Sequence, residues 1–237
     1  MFIAVIISLN TLKTGDYIKK IGEELICDKD YLNYPDLLYD PENGILPRYL
    51  VYYDYNRKED GVGCVIVGLN PGQSDEKEHR FYIDNGASYE NSLRYWKDRI
   101  QNLPYYVRLR NIANEFGFLG PILWTELVKC ENSTKGKNLC VETIRDDINK
   151  YLFREIDVIS EEWPLIGVGR RAYEILSYSF PKRFIIGLPH VTGSYGGYYK
   201  LFNNGKIKGE ISDYICDCIR GSKKKAIWVA DLLSNDN

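Results

Sequence analysis

A chain of 237 residues that is 44% hydrophobic and 27% charged reads as a globular protein able to bury a real core, in one large domain or two small ones. No apolar run approaches the ~20 residues needed to span a membrane, and a formal net charge of −2 does not announce a nucleic-acid binder. Twenty tyrosines suit core edges and surfaces that stack on planar ligands.

The opening "MFIAVIISLN" reads as a buried strand, and "TGDYIKKIGEELI" as a helix with Thr14 or Asp16 at its N-cap and Tyr17, Ile18, Ile21 and Leu25 at helical spacing. Residues 28–48, rich in Asp, Asn, Pro and Tyr, read as irregular, and "RYLVYYDYN" (48–56) as a strand. From residue 62 the pattern becomes regular. "VGCVIVGLN" is a strand; "NSLRYWKDRIQNL" and "VRLRNIANEFG" are helices separated near Pro104, the second stopping at Gly117. "PILWTELVKC" is the next strand. "CVETIRDDINKYLFREIDVI" is an amphipathic helix with Ile144, Ile148, Leu152 and Ile156 along one stripe. "WPLIGVG" is a strand entering the helix "RRAYEILSYS", and "KRFIIGLPH" is a strand followed by a helix around 209–220. Alternating strands and helices predict an α/β fold, three-layer α/β/α, with a central, mainly parallel four-stranded sheet. The whole of 1–237 is expected to form a single domain, with a core of about 62–220 and an N-terminal extension over 1–60.

Ligands of such sheets sit outside the carboxyl ends of the strands. That rule gathers Asn70-Pro71-Gly72, Glu126 to Lys129, Gly167 to Gly169, and Pro189 to Thr192 on one rim. Charge adds a second hint: residues 1–60 carry 7 Lys/Arg against 11 Asp/Glu, whereas residues 182–225 carry 9 against 3. A basic end on a neutral protein fits a polyanion as well as it fits a solvated surface.

"GVGRRAYEIL" has Gly-x-Gly after a strand but lacks the third glycine of a dinucleotide loop, so a tight strand-to-helix turn is expected there. His79, in "DEKEHRFY", reads as a solvated loop residue. Of six cysteines, Cys130 and Cys140 bracket "CENSTKGKNLC" and could join Cys27 and Cys64 around an iron–sulfur cluster; without a paired Cys-x-x-Cys, no metal and no cofactor are expected. "MFIAVIIS" lacks a basic n-region and a cleavage site, so a cytoplasmic or nucleoid-associated location with reduced thiols is expected.

The order of these pieces resembles the uracil-DNA glycosylase superfamily over roughly residues 62–200. "VIVGLNPGQS" is similar to the first motif of the mismatch-specific and single-strand-selective branches, where an asparagine positions water. "LRNIANEFG" resembles the helix that follows, and "ILWTELVKC" the next strand of the iron–sulfur branch. "DINKYLFREIDVISEEWPLIGVGRRAYEIL" resembles the helix–strand–helix after it. "GLPHVTGSYG" stands at the His-Pro-Ser and DNA-intercalating loop. The resemblance implies a monomeric, monofunctional glycosylase whose partner is DNA, with no membrane association.

It also implies roles. Asn70 holds the nucleophilic water, because an oxocarbenium ion needs a positioned water more than a deprotonated one. His190 donates to the base O2, where charge appears only in the transition state; read alone, it is a hydrogen-bonded strand-end histidine. Phe81 stacks on the flipped base, with Tyr82 next, and Leu69 lines the base site. Gly72, Gln73, Lys129, Thr192, Gly193 and Ser194 approach the DNA, and Tyr195 is the wedge.

Two departures stand out: Val191 replaces a proline, and Glu126 stands where a base-reading asparagine belongs. An ionised carboxylate only accepts, so it suits the N4 amino group of a cytosine-type base rather than uracil O4. The plainer alternatives are a one-residue slip in the register of the resemblance, or a Glu126 that points to solvent or forms a salt bridge to a lysine. A non-catalytic DNA-binding or inhibitory member of the same fold is the second reading, and an unrelated α/β hydrolase or nucleotide-binding domain the third.

Overall fold

Apolar runs bounded by glycine, proline and asparagine form strands, and the segments between them form helices. The computed structural model describes residues 2–48, 52–53, 57–58, 61–133, 139–191, 202–203, 206–207, 209–221 and 225–233. In chain order its elements are α1 (Phe2–Ile26), β1 (Leu37–Leu38), β2 (Tyr52–Tyr53), β3 (Cys64–Gly68), α2 (Glu76–Asn85), α3 (Tyr89–Asp98), α4 (Pro104–Glu115), β4 (Ile122–Glu126) and β5 (Glu131–Asn132). There follow α5 (Val141–Asp147), α6 (Phe153–Asp157), β6 (Leu165–Val168), α7 (Arg170–Ser179), β7 (Ile185–Leu188), β8 (Phe202–Asn203), β9 (Lys206–Ile207), α8 (Gly209–Gly221) and β10 (Ala226–Trp228).

The sheet runs β10-β7-β6-β3-β4-β2, and the pairs β10–β7, β7–β6 and β6–β3 are parallel. The α/β class is as expected. The sheet has six strands rather than four, because β2 and β10 flank the four inner strands. Two- and three-residue edge strands carry too little periodicity to be counted from sequence.

The chain divides into two units. The first comprises Met1–Tyr53, Asn70–Trp96 and Thr125–Ser160; the second comprises Asp54–Leu69, Lys97–Trp124 and Glu161–Asn237.

The second unit is built on the parallel strands. Every residue of β3, β6 and β7 is buried, as expected of strands covered on both faces. Val65, Ile66, Leu165, Ile166, Ile185 and Ile186 form its centre. Gly169, at φ 91, makes the tight turn from β6 into α7, a backbone state that a side chain would strain. The Gly-x-Gly is therefore a turn device.

In the first unit the opening apolar run is helical, not extended: α1 covers 25 residues, with no proline to stop it. Short apolar runs do not distinguish a buried strand from a helix, and here the helix wins. Thr14 and Asp16 thus lie inside it. Of the expected stripe, Ile18, Ile21 and Leu25 are buried, whereas Tyr17 is 39% exposed. Another missed helix is α2, started by Asp75, whose carboxylate accepts from Lys77 N and Glu78 N.

Residues 28–48 are tied to the later chain. Tyr31 Oη donates to Asp147 (2.8 Å), Tyr34 Oη to Asp146 (3.1 Å), and Thr143 Oγ1 to Asp36 (2.9 Å). Between α5 and α6 the helix passes through a π turn, Ile148–Leu152. Ile144, Ile148, Leu152 and Ile156 are all buried, as their spacing predicted.

Tyr31→Phe, which strips a donor from buried Asp147, should cost about 1–3 kcal/mol. Tyr34→Phe, at an exposed carboxylate, should cost about 0.5 kcal/mol or less. Urea unfolding of both variants checks the difference.

Candidate active site

The first unit places most of the expected residues: Asn70, Gly72, Gln73, Phe81, Tyr82, Glu126 and Lys129. Leu69 and His190 belong to the second. Thr192, Gly193, Ser194 and Tyr195 lie outside the described residues.

Asn70 follows β3 by two residues and is half-buried. Its Nδ2 donates to Pro71 O and to Asn132 Oδ1, each at 3.0 Å. A carbonyl can only accept, so Pro71 O determines which end of the amide is nitrogen. With both protons committed, Oδ1 is the group's remaining acceptor. Pro71 is buried and Gly72 and Gln73 are exposed. At the far end of this loop Ser74 N donates to Glu131 Oε1 (2.9 Å), and Ser74 Oγ lies 2.6 Å from His79 Nε2. His79 is therefore a half-buried helical residue with a partner, not a solvated loop residue.

Arg48 makes a two-pronged contact with Glu78, at 3.1 and 2.8 Å, and lies 3.8 Å from Glu131. Its own N–H donates to Lys129 O (2.8 Å). Burial raises the Glu78 pKa, against the opposing pull of Arg48.

Glu126 ends β4 and is 5% exposed. It does not face solvent, and no described lysine pairs with its carboxyl. Oε2 has no hydrogen-bond partner among the described residues. Burial pushes its pKa up to about 8, although the charges of Lys129 and Arg48 pull the other way. At neutral pH the carboxyl is mainly protonated, unlike the ionised group assumed from sequence.

Lys129 cannot serve as a DNA contact. It is 1% exposed, and Nζ donates to Thr125 Oγ1 (2.6 Å), Glu126 O (2.7 Å) and Glu155 Oε2 (2.8 Å). Its backbone N–H donates to Asp147 Oδ2 (2.8 Å), and burial raises the Asp147 pKa to about 6.

Phe81 is half-buried on α2, with the Arg94 guanidinium 4.9 Å from its ring centre and the Tyr95 ring at 4.9 Å. The ring is therefore already in contact with two neighbours on α3, the guanidinium over its face and Tyr95 tilted against it by 45°. Tyr82 is buried and donates to Ser92 Oγ (3.4 Å).

In the second unit, His190 follows β7 by two residues. Its ring centre lies 5.5 Å from that of Tyr105, and Arg108 Nη1 donates to Val191 O (2.7 Å), pinning the loop to α4. The residue is exposed overall, yet the protein around the imidazole removes enough water to lower its pKa, which favours the neutral ring.

Cys130 is buried and Cys140 exposed. Among the described residues no group of three or more His, Cys, Asp or Glu could hold a metal ion, and no helix is long and apolar enough to cross a membrane. No family model matches the chain, and no curated protein matches it.

Sequence reasoning missed Arg48, Ser74, Glu131 and Asn132. Only the helix start at Asp75 left a local signal; the others acquire meaning through partners distant in sequence.

Because the fold favours the protonated form of Glu126, its stabilising contribution is complete below about pH 4.5 and is lost as pH rises through about 8. Between pH 6.5 and 8, above the Asp147 window, stability should fall by up to about 1.4 kcal/mol per pH unit. Glu126→Gln should flatten that slope in denaturant titrations across the interval.

Proposed function

We propose that this chain is a DNA glycosylase that hydrolyses the N-glycosidic bond of a flipped-out pyrimidine and leaves an abasic site. The observation that carries the reading is the held amide of Asn70. Its two protons are occupied by Pro71 O and Asn132 Oδ1, which turns the oxygen into an acceptor for water. A water oriented in this way needs little deprotonation before it attacks an oxocarbenium-like sugar. The ordered resemblance of residues 62–200 supports the same chemistry.

His190 supplies the complementary role. As the bond breaks, negative charge grows on the base O2, and a neutral imidazole donates one N–H toward it. Tyr105 and the Arg108–Val191 contact limit the loop's freedom.

Glu126 reads the base edge in this proposal. A protonated carboxyl donates through O–H and accepts through C=O, so it meets uracil O4 and N3–H as an amide does. Its ionised form accepts only, and pairs with N4 of a cytosine-type base. The protonated carboxyl therefore accommodates uracil at neutral pH, and that fit is lost as the pH rises above about 8. Phosphate contacts fall to exposed Gly72 and Gln73 and to the 192–195 segment.

The second reading, a non-catalytic DNA binder of the same fold, is favoured by one observation: Phe81 is occupied by Arg94 and Tyr95.

An abasic-site assay over uracil, thymine-mismatch, hypoxanthine and modified-cytosine DNA separates the two. Release of uracil is expected, with Asn70→Ala and His190→Ala each slowing it by roughly 100-fold or more. Unchanged rates in both variants would sink the mechanism, and gel-shift binding without abasic sites would favour the second reading. Raising the pH from 7 to 9 should slow uracil release by wild type but not by Glu126→Gln.

A further inference from the structure

We infer that β5 is a clamp for the Asn70 loop, with Asn132 the positioning residue that, together with Pro71 O, holds the Asn70 amide in one orientation. This rests on the reading of Asn70 as the water holder.

The torsion that swings a terminal amide is broad and roughly two-fold, so an asparagine needs two directed partners to present one face. Pro71 O, on the adjacent residue, supplies one partner. Asn132 Oδ1, 62 positions along the chain, supplies the other at 3.0 Å. Reversing the Asn70 amide would set its oxygen against Pro71 O and leave Nδ2, which cannot accept a proton, facing the water site.

The neighbouring residue holds the loop's other end. Side chains at successive strand positions point to opposite faces, so one short strand can reach two places. Glu131 Oε1 accepts from Ser74 N at 2.9 Å, while Asn132 takes Asn70. Glu131 is only 2% exposed and lies 3.8 Å from Arg48, which keeps its carboxylate directed.

β5 itself is placed by the N-terminal segment. It pairs antiparallel with β1 in the register Leu37↔Asn132 and Leu38↔Glu131. Ser133 N donates to Asp36 O and Ser133 Oγ to Pro35 O, each at 2.9 Å. Residues 35–38 thereby hold in place the strand that orients the water holder, which gives the region before residue 60 a part in the reaction.

The test compares Asn132→Leu, a shape-preserving variant that cannot accept, with Asn132→Asp, which can. On uracil-containing DNA, Asn132→Leu should lower kcat roughly 10- to 100-fold with KM within about two-fold. Asn132→Asp should stay within about three-fold of wild type, because its carboxylate accepts the same N–H. Asn70→Ala/Asn132→Leu should be no slower than Asn70→Ala alone, since residues acting as a unit are not additive.

Proton–nitrogen NMR of the Asn70 side-chain amide, without substrate, reads the clamp independently of activity. Both protons should be slow to exchange in wild type and Asn132→Asp, and fast in Asn132→Leu. Unchanged Asn70 exchange in Asn132→Leu overturns the clamp, as does equal loss of kcat in the Leu and Asp variants. Altered exchange alongside an unaffected Asn70→Ala rate leaves the clamp standing as geometry and removes its catalytic role, since it is then Asn70's part in the reaction that fails.

Discussion

The first unit is organised around one buried ammonium. Taking Lys129 out of water costs several kcal/mol unless its charge and all its protons are matched. Thr125 Oγ1, Glu126 O and Glu155 Oε2 match them within 2.8 Å. Two of those acceptors lie on the last turn of chain before Lys129, so satisfying the ammonium curls that chain tightly after β4. The backbone of Lys129 is fixed as well, by Asp147 and by the N–H of Arg48. From this knot the chain leaves directly into Glu131 and Asn132, and Glu126 is turned inward beside it. The placement of Glu126 and of the strand that holds the Asn70 amide follows from where one charge is buried.

Electrostatics in the unit is correspondingly acid-rich. The carboxyls of Glu78, Glu126, Glu131, Asp147 and Glu155 are buried, with Arg48 and Lys129 as the inward cations. Two cations face five carboxyls away from water, and burial accordingly raises the pKa values of Glu78, Glu126 and Asp147. Glu126 and Glu155 each keep one carboxyl oxygen without a hydrogen-bond partner among the described residues; Glu155 is ion-paired to Lys129 through its other oxygen, whereas Glu126 sits at the end of a sheet strand.

Local signals made the second unit legible. β3, β6 and β7 are apolar runs ending in turn residues, and Gly117 and Gly169 adopt the positive φ that their positions suggested. Where the sequence misled, long-range partners decided. An apolar start read as a strand becomes α1. A lysine, normally a surface residue, is drawn inward by Glu155 and Thr125, so a DNA contact read into Lys129 had no local reason to fail. Asn132 is invisible for the same reason: nothing in "CENSTKGKNLC" reveals that its third residue meets Asn70. Likewise the protonation of Glu126 depends on burial, which a carboxylate's one-letter code does not carry.

The π turn between α5 and α6 ties helix phase to the buried ammonium. Asp147 and Glu155 both reach Lys129, one at its amide and one at its ammonium. Eight residues apart on a regular α-helix, they would point ~80° away from each other. The wider turn at Ile148–Leu152 absorbs that difference and brings them to one face. Converting that turn to regular α-helix at the same length would rotate Glu155 about a quarter turn off the ammonium, whereas losing one residue in the same step leaves a seven-residue spacing, within ~20° of the same face. In lineages carrying this fold, the extra residue and the wide turn should then be kept or lost together, because either change without the other shifts the phase and unseats a buried charge.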